Sequence, residues 1–149
     1  MNYTYPAIFM KYKKDELYEI YFPDLNQMTS GKDLNDAMFM ARDLLAIVLS
    51  SMIEDESQLP TPSKINEIDS DKIIKKLRSD FSEEEKKEYE ITEHFVNYVT
   101  VDPIEYAKMH ITKYDKKTLT IPHWLNVKGQ QANVNFSKLL TNALINYFK

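Results

Sequence analysis

In KKTLTI, residues 116–121, Leu119 and Ile121 fall on one face and Lys116, Thr118 and Thr120 on the other, the two-residue period of a strand, and a helix, a turn and a second helix follow. Pro122 suits the first turn of a helix, where its missing N–H costs little, and His123, Trp124 and Leu125 continue into that helix. Asn135 then stands as the N-cap of a second helix, in which Phe136, Leu139, Leu140, Ala143, Leu144, Tyr147 and Phe148 recur at helical spacing. A single strand ahead of two short helices is not a self-sufficient fold. Its backbone N–H and C=O groups lack partners, and the helices bury little area. A second copy removes both difficulties: two strands pair as an antiparallel ribbon, four helices close a shared core, and the polar strand faces lie side by side. Leu119, Ile121, Trp124, Leu139, Leu140 and Leu144 are the expected core of that dimer.

A two-stranded ribbon fits the major groove of duplex DNA, where Lys donates to guanine and Thr hydrogen-bonds or sets its methyl against thymine. The plainer reading of such a strand is an exposed sheet edge. The pattern resembles the ribbon-helix-helix family of DNA-binding proteins. Carried over position by position, that resemblance puts Lys116, Thr118 and Thr120 in the base-reading places. It puts the start of the second helix, with Asn135, Ser137 and Lys138, in the phosphate-anchoring place, where unpaired backbone N–H groups and the helix dipole favour an anion.

Charge divides the chain in the same place. Residues 1–112 carry 13 Lys and Arg against 22 Asp and Glu, a balance of -9, whereas residues 113–149 carry six Lys against Asp115 alone, a balance of +5; together they make the net -4. A basic end suits a polyanion and an acidic body suits a cationic partner. With 43% hydrophobic residues the chain has enough apolar material for a core. It has no cysteine, which excludes a disulfide framework and a thiolate metal site and is consistent with the cytoplasm. The amino terminus lacks the pattern of a secretory signal. The longest apolar run, LLAIVLSSMI at 44–53, is about half of the roughly 20 residues a bilayer requires, so no membrane partner is expected.

The first part of the chain predicts an αβ unit ending near residue 110. YTYPAIFMKYKKDELYEIYFPDL is rich in Tyr, Phe and Ile and reads as two strands joined at KKDE, with Tyr18, Ile20 and Phe22 on one face and Glu19 and Tyr21 on the other. Pro6 removes a ladder donor, which demands an edge or a local break. A short strand at 27–30 precedes Gly31. From Asp33, an expected N-cap, the period becomes helical through Leu34, Ala37, Met38, Ala41, Leu44, Leu45, Val48, Leu49 and Met52. Residues 54–70 form an acidic connector with two prolines. Ser82 and Glu85 form a capping box, and HFVNYVTVD returns as a strand that Asp102-Pro103 ends.

YPAIF, the aromatic strand ending in YFPDL, the helix DLNDAMFMARDLL and LPTPS resemble the HicB antitoxin family, and HFVNYVTVD, KKTLTIPHWL and NVNFSKLLTNALINYF resemble the later part of its longer members. Met28-Thr29-Ser30 departs from the Gly-Cys segment common there. The resemblance implies an α+β fold in two domains: a partial ribonuclease-H-like domain over 1–110 and a ribbon-helix-helix domain over 111–149. It implies an antitoxin without cofactor that masks a small basic HicA-type mRNA-cleaving toxin and represses its own operon, as a homodimer or a higher even-numbered assembly. The alternatives are a ribbon-helix-helix repressor with a sensing amino-terminal domain, or a metal-dependent ribonuclease-H-like nuclease using Asp24, Asp33, Asp36 and Asp102. Capping roles for Asp33 and Asp36 and the scatter of His94, His110 and His123 speak against a catalytic centre or a metal site.

Overall fold

A computed structural model describes residues 1–110 and 114–149. The chain divides into two compact units, Met1–Thr112 and Lys113–Lys149. Residue 111, the expected start of the second domain, lies outside the described residues. Four strands, six α-helices and two short 3-10 turns make up the regular structure among the described residues.

The first unit is built on an antiparallel sheet of β1 (Tyr3–Tyr12), β2 (Tyr18–Phe22), β3 (Gln27–Gly31) and β4 (Ile91–Val101), in the order β3-β2-β1-β4. In β2 the aromatic and aliphatic side chains Tyr18, Ile20 and Phe22 are buried, and Glu19 and Tyr21 on the other face are half-buried. The central strand β1 is buried on both faces. Its one proline is tolerated because the β1–β2 register runs only from Ile8 to Lys11, so the donor missing at Pro6 falls where β1 has passed the end of β2. On the β4 side the pairing is continuous there, with Pro6 opposite Tyr98. The KKDE connection closes through Tyr12 N–H to the Leu17 carbonyl at 2.8 Å, with Asp15 and Glu16 in the left-handed region at φ 59° and 51°.

Helix α1 (Leu34–Glu54) covers one face of the sheet. Asp33 Oδ1 accepts from Asp36 N–H at 2.8 Å and starts it. Its buried face is Ala37, Ala41, Leu45, Ala46 and Leu49. The small residues let the helix come close: a Cβ added to Gly31 would stand 2.5 Å from Ala37 Cα and 2.8 Å from the Asp36 carbonyl carbon. The core beneath holds Tyr5, Phe9, Phe22 and Val99, and the Phe9 and Phe95 rings stack at 5.0 Å.

The opposite face is closed by the residues after the connector. Helix α2 (Ser70–Leu77) brings Ile74 onto Ile8 and Met10, with Ile68 and Leu77 beside it. Helix α3 (Glu83–Glu88) opens on the capping box, Ser82 N–H donating to Glu85 Oε2 at 2.7 Å and Glu85 N–H to Ser82 Oγ at 3.1 Å; these bonds hold the Glu85 carboxyl below its ordinary range. Burial pushes the Tyr12 phenol up to about 12, helped by Glu19, whose carboxyl is itself raised by burial.

Helix α4 (Pro103–His110) follows β4 directly. The sequence reading ends the strand at Asp102-Pro103 but assigns no helix beyond it. Asp102 Oδ1 accepts from Ile104 N–H at 3.0 Å and Glu105 N–H at 3.1 Å, so the dipeptide is both strand end and helix cap. Tertiary bonds fix the helix to α1: Ser50 Oγ donates to the Pro103 carbonyl at 3.0 Å, and the Tyr106 hydroxyl donates to Asp43. That bond pushes the Tyr106 phenol up to about 12.

Candidate functional site

The second unit holds α5 (His123–Gln131) and α6 (Phe136–Tyr147). Pro122 stands one residue before the first helical position, its carbonyl accepting from Leu125 N–H at 3.0 Å and Asn126 N–H at 3.1 Å. The turn between the helices is a Schellman closure. Asn133 takes the left-handed conformation at φ 51°, its N–H donates to the Gln130 carbonyl at 3.1 Å, and Val134 N–H reaches back to the Gly129 carbonyl at 2.9 Å. Asn133 serves there because Asn tolerates that conformation better than other side-chain-bearing residues.

Asn135 Oδ1 accepts from Lys138 N–H at 3.0 Å. The side chain is therefore committed to the cap, and the N–H groups of Phe136 and Ser137 are the ones at this helix start without an intrahelical acceptor. Ser137 and Lys138 are exposed beside them.

Lys116, Thr118 and Thr120 are exposed too, in a segment, 114–122, with no regular secondary structure. The sequence reading places a strand here. A strand ladder needs a second strand, and no described residue of this unit provides one.

The apolar residues of the unit gather around a groove of about 720 Å³. Leu119, Ile121, Leu139 and Leu140, four of the six residues assigned to the dimer core, line it together with Val134 and Phe136. Trp124 and Leu144 are not in its wall. Trp124 is 61% exposed, with Lys128 Nζ 5.5 Å from its ring centroid. None of residues 114–149 is buried. A unit of two amphipathic helices in which the apolar residues are at most half-buried lacks the burial that stabilises a fold.

In the first unit the four carboxylates weighed as metal ligands are occupied separately. Asp24 accepts from Ser63 N–H at 2.9 Å and from Ser63 Oγ at 2.6 Å, tying down the proline-containing connector. Asp33 caps α1, Asp36 accepts from Lys32 N–H at 2.9 Å, and Asp102 caps α4. Among the described residues no three His, Asp, Glu or Cys side chains come together as metal ligands. No helix among them is long and apolar enough to cross a membrane.

A second groove, of about 800 Å³, lies between α1, α4 and the end of β4. Phe39 is 64% and Met109 76% exposed at its walls, with Met38 and Tyr106 deeper and Arg42 and Glu105 at the side. Sequence reading missed this surface. The available signal was the width of the α1 stripe: Leu34, Phe39 and Ile47 are exposed apolar residues outside the sheet-facing side, more than one buried face requires.

A family model described as the HicB-like antitoxin of bacterial toxin–antitoxin systems matches residues 4–74. Among solved structures, a chain of a toxin–antitoxin complex from Streptococcus pneumoniae is 34% identical, with 99% of each chain covered and a TM-score of 0.62. The antitoxin HicB of Burkholderia pseudomallei is 16% identical, with 97% of this chain and 96% of that one covered and a TM-score of 0.46. No curated protein matches the sequence. The family match runs from β1 into α2, and the pneumococcal likeness extends over almost the full length, including the tail. The chain belongs to the HicB-like antitoxin family.

Proposed function

We propose that this antitoxin masks a HicA-type mRNA-cleaving toxin with its amino-terminal unit and represses its own operon as a dimer through its carboxy-terminal unit, in the cytoplasm and without catalysing a reaction itself. In this reading the first unit is a partial ribonuclease-H-like fold whose carboxylates serve as caps and tethers. The groove with Phe39 and Met109 offers a seat for a protein partner, and the unit's excess of acidic residues speeds encounter with a basic one. The second unit is a ribbon-helix-helix module: Lys116, Thr118 and Thr120 read bases, and the α6 start at Asn135, Ser137 and Lys138 holds a phosphate.

The observation that carries the proposal is the tail in which nothing is buried while Leu119, Ile121, Leu139 and Leu140 share one groove. A second copy laid on that groove supplies the missing core and the missing strand partner together. The toxin half is tested by expressing the product of the neighbouring reading frame, which this reading expects to be a small basic protein. Expression alone is expected to halt growth and degrade mRNA, and co-expression of this chain to restore both. A neighbouring product that is harmless, or harmful and unaffected by this chain, would leave a plain repressor as the function.

A further inference from the structure

We infer that the cleft between α2 and α3 is a binding site for a phosphate-bearing anion. This cleft, of about 530 Å³, is lined by Lys75, Arg78 and Lys86, with Ile74 at its base. The one acid in its wall, Asp71, is drawn to His94, whose Nε2 stands 3.2 Å from its carboxylate. Three cations thus share one cavity in a unit whose balance is otherwise strongly acidic, so they are not part of a generally basic surface.

Arg78 is the fixed element. One terminal nitrogen of its guanidinium donates to the Lys86 carbonyl at 3.1 Å and the Tyr89 carbonyl at 2.8 Å, at the end of α3, and the Phe81 ring lies 5.6 Å away. The fork is therefore held in place before any ligand arrives. Its Nε–H is buried and has no acceptor. The Glu19 carboxylate acts on the Arg78 charge through space but does not accept from this N–H, and a desolvated donor left without an acceptor is unfavourable, so an oxygen acceptor is what it still lacks. The two lysines are the adaptable elements. Lys75 is exposed on α2, and Lys86 is held only by an exposed pair with Glu83 at 3.1 Å, which a stronger anion displaces at little cost. One planar guanidinium and two ammonium groups match a multiply charged tetrahedral oxyanion better than a single carboxylate, which the guanidinium alone would satisfy.

The full-length chain, in chloride buffer free of phosphate, is titrated with inorganic phosphate, with pyrophosphate and with a single-stranded oligoribonucleotide, and the Arg78 Nε–H resonance is followed by NMR. A saturable shift of that resonance is expected, weakened at least about tenfold in the Lys75→Ala/Lys86→Ala variant, which keeps the Arg78 bonds that hold α3. Saturation by the inorganic anions with no response to RNA assigns a small phosphate ligand. Tighter saturation by RNA, lost in the same variant, assigns a phosphodiester backbone. The inference is overturned if none of the three probes moves the Arg78 signal to saturation, or if the variant binds as well as the parent.

Discussion

Gly31→Ala is expected to destabilise the amino-terminal unit by about 3 kcal/mol or more, the upper range of overpacking effects. The position is buried at the end of β3, and the atoms an added methyl would strike are backbone atoms of α1, at Asp36 and Ala37. Backbone in the first turn of a capped helix cannot swing aside as a side chain does. Relief requires α1 to lift from the sheet, which opens the core around Phe22, Ala37 and Ala41. Urea denaturation followed by far-ultraviolet circular dichroism measures the loss, with the tail's contribution subtracted because two units need not unfold together. A change under about 1 kcal/mol would mean that helix and sheet separate without cost, contrary to the close approach described. Gly129 offers the contrast: a methyl there meets the edge of the Phe136 ring, a half-exposed side chain free to move, so Gly129→Ala is expected to be the milder change.

If the tail binds DNA as proposed, replacing Lys116, Thr118 and Thr120 together with alanine is expected to lower affinity for the duplex upstream of this gene by at least about 100-fold, since each base contact would be worth roughly 1–3 kcal/mol and a dimer would present every side chain twice. The three side chains are exposed and bury nothing in the single chain, so the substitution leaves the fold intact. Binding to unrelated duplexes falls less, through the loss of the Lys116 charge alone. Fluorescence anisotropy at fixed salt on operator and scrambled duplexes separates the two effects. Neutralisation of the toxin should persist, because that function is assigned to the other unit. A folded triple variant that fails at both tasks would show the division of labour to be wrong.

What the sequence made legible was what neighbouring residues decide. The alternation of Tyr18, Ile20 and Phe22, the cap at Asp33 and the Ser82–Glu85 box all depend on residues within a few positions of one another, and the structure holds each of them. Helix α4 was not legible, because eight residues do not sustain a helix by their own propensity and its bonds run to Ser50 and Asp43 on α1. Asp24 illustrates the same limit. Local reading leaves it as a spare carboxylate, while the fold uses it to hold Ser63, 39 residues on. The tail is also not settled locally: the period of KKTLTI describes a strand, but a ladder needs a second strand, and no described residue of the tail supplies one.

The central claim is that the tail is one half of a structure that two copies complete, and sedimentation equilibrium of the full-length chain at micromolar concentration tests it most directly. A dimer or a larger even-numbered assembly is expected. Leu139→Asp/Leu140→Asp, which places charges in the groove wall, should convert it to a monomer that has lost operator binding while the amino-terminal unit melts as before. A parent chain that sediments as a monomer with its tail helices intact would contradict the account.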